Sequence, residues 1–366
     1  MSIHELFNKN VPDYLIEDVL FNWARILNNY FEPRGYFLKV IIKLMKKILI
    51  FILFLVLVIS PFYWYFFGPV GGDEETEIFV IPKNLQDFNL MQKLEEGKFI
   101  KKNRVLEYYL NTFVFFADVH PGGYKLNRNM WALDIFKKIN GKPDLVWVSW
   151  SSCLRKEQVG EILAEVLGWN RQELEKWNSV YTNTEPEYFE GVYYPDTYLI
   201  PIDENGDQVA KRLINRFNEK FAPLADKYVE ANIRWVTGLK IASLIAREAA
   251  GISDMKLISG IIWNRLDKGM ALQIDATMQY TLGKNSQGKW WGSIDLKEQK
   301  NDSPYNSYLH KGLPPTPICS ANIDYIEAAL NPEETDCLFY LHDHFKQIHC
   351  AVTYNEHLQN IKKYLE

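Results

Sequence analysis

The sequence predicts an α+β protein with a single N-terminal transmembrane helix, followed by a region in which helices pack around a mainly antiparallel sheet. Three observations predict it. Residues 48–67 form a 20-residue run without a charged side chain, about the length an α-helix needs to cross ~30 Å of hydrocarbon. From residue 76 onward, short runs of β-branched and aromatic residues alternate with longer segments of helical period. Near the end, Leu338–Leu341 and Cys350–Val352 read as two strands ahead of a last helix. At 366 residues and 47% hydrophobic, the chain can fill the cores of two ordinary domains. Its net charge of -5 lacks the basic excess of a nucleic-acid binder, so no nucleic-acid partner is expected.

The apolar run divides the chain. Lys43, Lys46 and Lys47 precede it, Tyr63, Trp64 and Tyr65 occupy its far end, and Asp73, Glu74, Glu75 and Glu77 follow. The positive-inside rule and the interfacial preference of aromatic rings place residues 1–47 in the cytoplasm and everything after 70 outside it. A cleaved signal peptide would sit closer to the N-terminus, with a shorter apolar core and a small-residue cleavage site. The first 40 residues show weak helical periodicity around Tyr14 to Leu27, which suits a short amphipathic segment. Met45-Lys46-Lys47 also reads as a natural chain start.

Outside the membrane, Gly71-Gly72 and the acidic run form a linker. Glu77–Pro82 reads as a strand, 86–96 and Val105–Phe115 as helices, and Pro121-Gly122-Gly123-Tyr124 as a turn into an extended piece. A helix around 130–138, a strand over Leu145–Trp150 and a helix over Glu157–Leu167 complete a small domain at 76–168, resembling two βα-type repeats. The second domain spans 176–366. Its Glu190–Tyr198 stretch is rich in turn-forming and aromatic residues. Helical patterns follow at 206–230, Gly238–Ala250 and Lys256–Lys268. Gly269–Tyr280 begins as a strand, Gly283–Trp291 is a loop, and Gly312–Pro317 is a stiff proline-rich loop. A helix over Asn322–Leu330, the two strands and a helix from Asn355 close the chain.

The four cysteines, Cys153, Cys319, Cys337 and Cys350, contain no CxxC pair, which argues against a zinc ribbon. Cys337 and Cys350 are spaced to pair across a hairpin, and buried free thiols fit the sequence equally well. His342, His344 and His349 cluster near a predicted turn, which reads as surface polarity. No metal or cofactor is expected.

One carboxylate stands out. Ile241, Leu244 and Ile245 fall at i, i+3 and i+4 of the helix from Gly238, and Glu248 falls at i+7 on the same inward face. A desolvated carboxyl titrates high, and a carboxyl that keeps its proton near neutral pH can protonate a glycosidic oxygen. A half-buried structural Glu paired with an Arg or Lys, such as Arg265, satisfies the same spacing. In a strand over Leu272–Met278, Gln273, Asp275 and Thr277 would share one polar face; such a row suits a sugar groove or a solvated edge equally. Tyr305-Asn306-Ser307-Tyr308 adds aromatic and amide groups next to the proline-rich loop.

Taken in order, these segments resemble the YceG-like (MltG-like) family of endolytic transglycosylases. The resemblance runs over roughly 185–358: Glu190-Gly191, Pro195-Asp196-Thr197-Tyr198, Ala242 to Glu248, Asn264-Arg265-Leu266, Gly269 to Thr277 with Tyr280, Tyr305-Asn306-Ser307-Tyr308, Gly312 to Ile318, Ala328 to Pro332, then His349, Tyr354, Glu356 and His357. It implies cleavage of the β-1,4 bond between N-acetylmuramic acid and N-acetylglucosamine in nascent glycan strands, leaving 1,6-anhydro ends and limiting chain length. Glu248 would be the catalytic acid and base. Glu190, Asn264, Gln273, Asp275, Thr277, Tyr305, Asn306 and Tyr308 would bind substrate. The 76–168 region would be a LysM-like module, and penicillin-binding glycan synthases would be partners at the membrane. The sequence departs from the family's pattern at Ser151-Ser152-Cys153, Ala246-Arg247 and Cys350-Ala351. Two other readings share these residues: a non-catalytic peptidoglycan-binding anchor, and a water-using muramidase with Asp275 as second carboxylate.

Overall fold

The computed structural model describes residues 34–72, 74–113, 119–295 and 297–366, with isolated positions before 34. The amphipathic segment expected around Tyr14 to Leu27 therefore lies largely outside the described residues. The chain separates into two compact units, one formed by residues 1–75, 91–115 and 127–136, the other by 76–90, 116–126 and 137–366.

The first unit is built on helix α1, Arg34–Phe67. Among the described residues no helix is long and apolar enough to cross a membrane; α1 opens with Arg34, Lys39, Lys43, Lys46 and Lys47. Its charge-free part is confined to residues 48–67, about 30 Å at 1.5 Å per residue, and Ile48 to Ile59 are exposed along it. The end of α1 is fastened within its own unit. Asn103 Nδ2 donates to the Phe66 carbonyl at 3.0 Å, Lys101 Nζ lies 4.3 Å over the Trp64 ring, and Tyr63 stacks on Trp131.

The second unit begins with a four-stranded sheet of order β1-β2-β3-β4, where β1 is Thr76–Ile81, β2 Gly122–Asn127, β3 Leu145–Ser149 and β4 Thr197–Pro201. β3 pairs antiparallel with both β2 and β4, in a register that sets Leu145 opposite Pro201 and Ser149 opposite Thr197. The sheet thus continues past the interval 168–176. Strand β4 starts at the end of the stretch that reads as turn-rich, Glu190–Tyr198, and runs beyond it to Pro201. Tyr198 is nonetheless buried and stacks on Trp150 at 5.0 Å.

Helix α2, Lys156–Leu167, packs against β3, and α3, Gly206–Glu230, follows β4. Asn205 caps α3 in a reciprocal box with Gln208, and Val209, Leu213, Phe217, Leu224 and Tyr228 form its buried stripe. Helix α4, Trp235–Glu248, buries Ile241, Leu244 and Ile245 completely, as its spacing predicts. Helices α5, Met255–Asp267, and α6, Ile323–Leu330, pack on it. Each fully buried aliphatic side chain of this core contributes roughly 1.5–3 kcal/mol.

The segment 269–280 differs from its expected strand. Residues 270–274 are irregular, and Asp275–Leu282 is helix α7. Gln273 adopts a left-handed φ of 55°, which ends any extended run. Its amide donates to the Ser307 carbonyl at 3.0 Å, and the Ile274 amide to Ser307 Oγ at 2.9 Å, so these donors meet a loop where a strand pair would need a neighbouring strand. Gln273, Asp275 and Thr277 consequently share no strand face.

Strands β5, Phe339–His342, and β6, Ile348–Ala351, form an antiparallel hairpin with Tyr340 opposite Cys350, and helix α8, Tyr354–Tyr364, packs against it. All four cysteines are paired, as Cys153–Cys319 and Cys337–Cys350. The hairpin reaches α5 through Gly260, where a Cβ would lie 2.2 Å from the Glu333 carbonyl oxygen; only glycine lets the 333–337 segment lie this close. Loop closure predicts that Cys337→Ser/Cys350→Ser lowers stability by about 3 kcal/mol, measured by urea unfolding. An unchanged midpoint would mean the hairpin is held by its other contacts.

Candidate active site

Glu248 is the last residue of α4, and its carbonyl-rich helix end disfavours a nearby anion. The side chain is half-buried at the edge of a cleft of about 310 Å3, whose walls include Arg265, Gln273, Tyr308, Phe339, Tyr340 and His357. Glu248 Oε2 accepts a hydrogen bond from Tyr340 Oη at 2.6 Å. Burial pushes the Glu248 carboxyl above its ordinary value; the Tyr340 bond pulls it down, the Asp275 charge pushes it up, and Arg247 and His342 pull it down, leaving it raised.

The alternative pairing with Arg265 does not form. Arg265 Nε donates to the Leu338 carbonyl at 2.6 Å, and Nη1 to those of Ala271 and Leu272 at 3.1 and 2.7 Å. Its guanidinium fastens the hairpin and the 271–273 loop to α5. Arg247 lies 4.1 Å over the Trp291 ring, on another side of α4.

The chain just past Glu248 is tied down by Asp254. Its carboxylate accepts from the amides of Ala250 at 2.8 Å and Gly251 at 3.1 Å, and lies 2.7 Å from His342 Nε2. Burial pushes the Asp254 carboxyl up, but the Ala250 amide, His342 and the Gly251 amide outweigh it and hold the carboxyl below its ordinary value. His342, which reads from sequence as surface polarity, thus joins β5 to the start of α5.

The residues expected to bind substrate divide into two groups. Gln273 and Tyr308 line the Glu248 cleft, and Tyr308 Oη donates to Asp275 Oδ1. Asp275 opens α7, is exposed, and acts electrostatically on Glu248. The others are engaged inside the protein. Thr277 is fully buried and its hydroxyl donates to the Ile274 carbonyl at 2.7 Å. Asn264 Nδ2 donates to the Thr335 and Cys337 carbonyls, and Asn306 Nδ2 to those of Gln299 and Asn301. Tyr305 pairs its hydroxyl with Thr316 Oγ1 at 2.8 Å. These side chains build the loops around the cleft and do not line it.

Glu190 is fully buried and away from the cleft lining. It accepts from the amides of Lys156 at 3.1 Å and Gly191 at 3.0 Å. Gly191, at φ 89°, leaves room for Pro317, which a Cβ would meet at 2.7 Å. The Glu190-Gly191 pair and the proline-rich loop are therefore one packed unit. Burial, reinforced by the Glu157 charge, pushes the Glu190 carboxyl up to about 8. Tyr340, Asp254, Phe339 and the site position of His342 escape the sequence reading, since nothing local links them to Glu248.

With this geometry in view, comparison with known proteins places the chain. The YceG-like family matches over residues 79–363, and the chain belongs to that family. An endolytic murein transglycosylase of Bacillus subtilis (strain 168) is 26% identical over 320 residues, covering 81% of this chain and 87% of that protein. Its counterpart in Streptococcus pneumoniae serotype 2 (strain D39) is 22% identical over 332 residues, and the match spans 60% of that longer protein. A crystallised YceG-like protein from Listeria monocytogenes superimposes with a TM-score of 0.54 at 24% identity, over 78% of this chain and 99% of that one, a likeness of fold.

The buried Glu190 gives a pH signature. Between its ordinary value near 4.5 and about 8, the folded state holds a proton that the unfolded chain has released. Stability therefore falls as pH rises through that window. Glu190→Gln, which carries no titrating group, should flatten that slope in urea unfolding at pH 4.5 to 8. Parallel curves for the two proteins would show that Glu190 is ionised when folded.

Proposed function

We infer that this chain is an endolytic murein transglycosylase that cuts the β-1,4 bond between N-acetylmuramic acid and N-acetylglucosamine. The observation that carries this is the half-buried Glu248 with a raised pKa in the cleft, on a chain whose family includes proteins of that name. The protonated carboxyl of Glu248 gives its proton to the glycosidic oxygen as the bond to C1 of the muramic residue breaks. The resulting carboxylate then takes the proton of the C6 hydroxyl as that oxygen bonds to C1. A 1,6-anhydro end forms, Glu248 regains its proton, and no water is consumed. One carboxyl suffices, unlike the paired carboxylates of ordinary glycosidases.

Asp275 supports a second reading, because its charge acts on Glu248 and it could serve a water-using muramidase as second carboxylate. Tyr308 donates to it, which suits a residue that orients substrate. Mass spectrometry of products from uncrosslinked glycan strands decides. Anhydro ends from the wild-type protein, roughly 10³-fold fewer from Glu248→Gln, and anhydro ends retained by Asp275→Asn are expected. Reducing ends would make the protein a hydrolase. Intact strands with folded protein would make it a peptidoglycan-binding anchor.

The finer placement belongs to the same proposal. Residues 48–67 anchor the chain as a single transmembrane span in the cell membrane, with residues 1–47 cytoplasmic and the enzyme outside. The exposed apolar side chains of α1 and the preceding lysines support this. The 76–168 segment is a LysM-like module associating with glycan, and the tethered enzyme acts beside penicillin-binding glycan synthases. Full-length protein should sediment with membranes and resist carbonate extraction, while residues 71–366 stay in the supernatant. Release of full-length protein by carbonate would remove the anchor.

A further inference from the structure

We propose that Tyr340 is a positioning residue that gives the two carboxyl oxygens of Glu248 different duties, with Oε2 held by the phenol and Oε1 left to carry the proton to and from substrate. This rests on the reading of Glu248 as the acid and base. Tyr340 Oη lies 2.6 Å from Glu248 Oε2, and a phenol that keeps its proton can act only as the donor toward a carboxylate. Burial and the Glu248 charge keep that proton in place by pushing the phenol well above its ordinary value.

The surrounding chain holds this bond from both sides of Tyr340. Two residues before it, the Leu338 carbonyl accepts from Arg265 Nε at 2.6 Å. Two residues after it, His342 Nε2 lies 2.7 Å from Asp254 Oδ2. Across the ladder stands Cys350, bonded to Cys337, whose carbonyl accepts from Asn264 Nδ2 at 3.2 Å. Strand β5 is thus fixed where the phenol meets one oxygen of Glu248.

The consequence follows from the chemistry of the proton. While Glu248 is protonated, its bond from Tyr340 is an ordinary neutral one. As the proton leaves Oε1, the carboxylate becomes charged and the same bond becomes charge-assisted, roughly twice as strong. Stabilisation that grows along the reaction coordinate raises kcat and leaves KM unchanged. The other groups acting on Glu248 are Asp275 on α7, Arg247 on α4 and His342 on β5, and none of these is altered by a change at 340.

Two variants test this in opposite directions, in the full-length protein acting on uncrosslinked glycan strands. Tyr340→Phe removes the donor and keeps the ring. It should lower kcat about tenfold with KM within twofold, and move the alkaline limb of the pH–rate profile to higher pH, because the bond that lowers the Glu248 pKa is gone. 3-Fluorotyrosine at 340 is a stronger donor and should move the limb to lower pH. A limb that stays put in both variants, or a loss confined to KM, would overturn the proposal. A 13C titration of the Glu248 carboxyl reads the same interaction without turnover. A lower midpoint in wild type than in Tyr340→Phe supports it, and equal midpoints overturn it. Failure of wild-type cleavage would instead strike at the functional reading, with the titration still deciding the role of Tyr340.

Discussion

The geometry of the cleft depends on how the end of α4 is closed. A helix that stops leaves backbone groups without partners, and a side chain at that point would otherwise sit on a fraying turn. Here Asp254 collects the amides of Ala250 and Gly251 and the ring of His342 on one carboxylate. A helix end, the start of the next helix and a distant strand are thereby joined at one point. Because charged acceptors form the stronger hydrogen bonds, this junction is firm, and Glu248 leaves α4 in one defined direction.

Arg265 performs the matching task on the other wall. Its guanidinium is spent on carbonyls of the 271–272 loop and of Leu338, which has two effects. It orders the loop that carries Gln273 into the cleft, and it leaves Glu248 without a salt-bridge partner among the described residues. A carboxyl paired to a guanidinium would lose its proton easily. The same residue that could have paired with Glu248 instead builds the walls around it.

Much of this could be read along the chain, and the reason some could not is physical. The inward placement of Glu248 follows from Ile241, Leu244 and Ile245 because a helix repeats locally. The helices at 206–230 and 322–330 were equally legible, their ends marked by Asn205 and Asn322 caps. Residues 272–277 misled because alternation over so few positions carries little information, and a left-handed Gln273 leaves no trace in polarity. Residues such as Asn264, Thr277, Asn306 and Glu190 resemble site residues in type, yet their polar atoms serve backbone groups within the fold. The partner of Glu248 lies 92 residues away, and no local pattern points to a contact made by the folding of distant segments.

The pairing of all four sulfurs has a practical side. Cys153 and Cys319 join segments 166 residues apart, so the bond closes only after most of the chain has been made. A chain produced in a reducing cytosol would be a different chemical species, carrying four thiols. Its hairpin would be held by the β-ladder and neighbouring side chains alone. The history of a preparation, and not only its amino-acid sequence, therefore determines which molecule is being assayed.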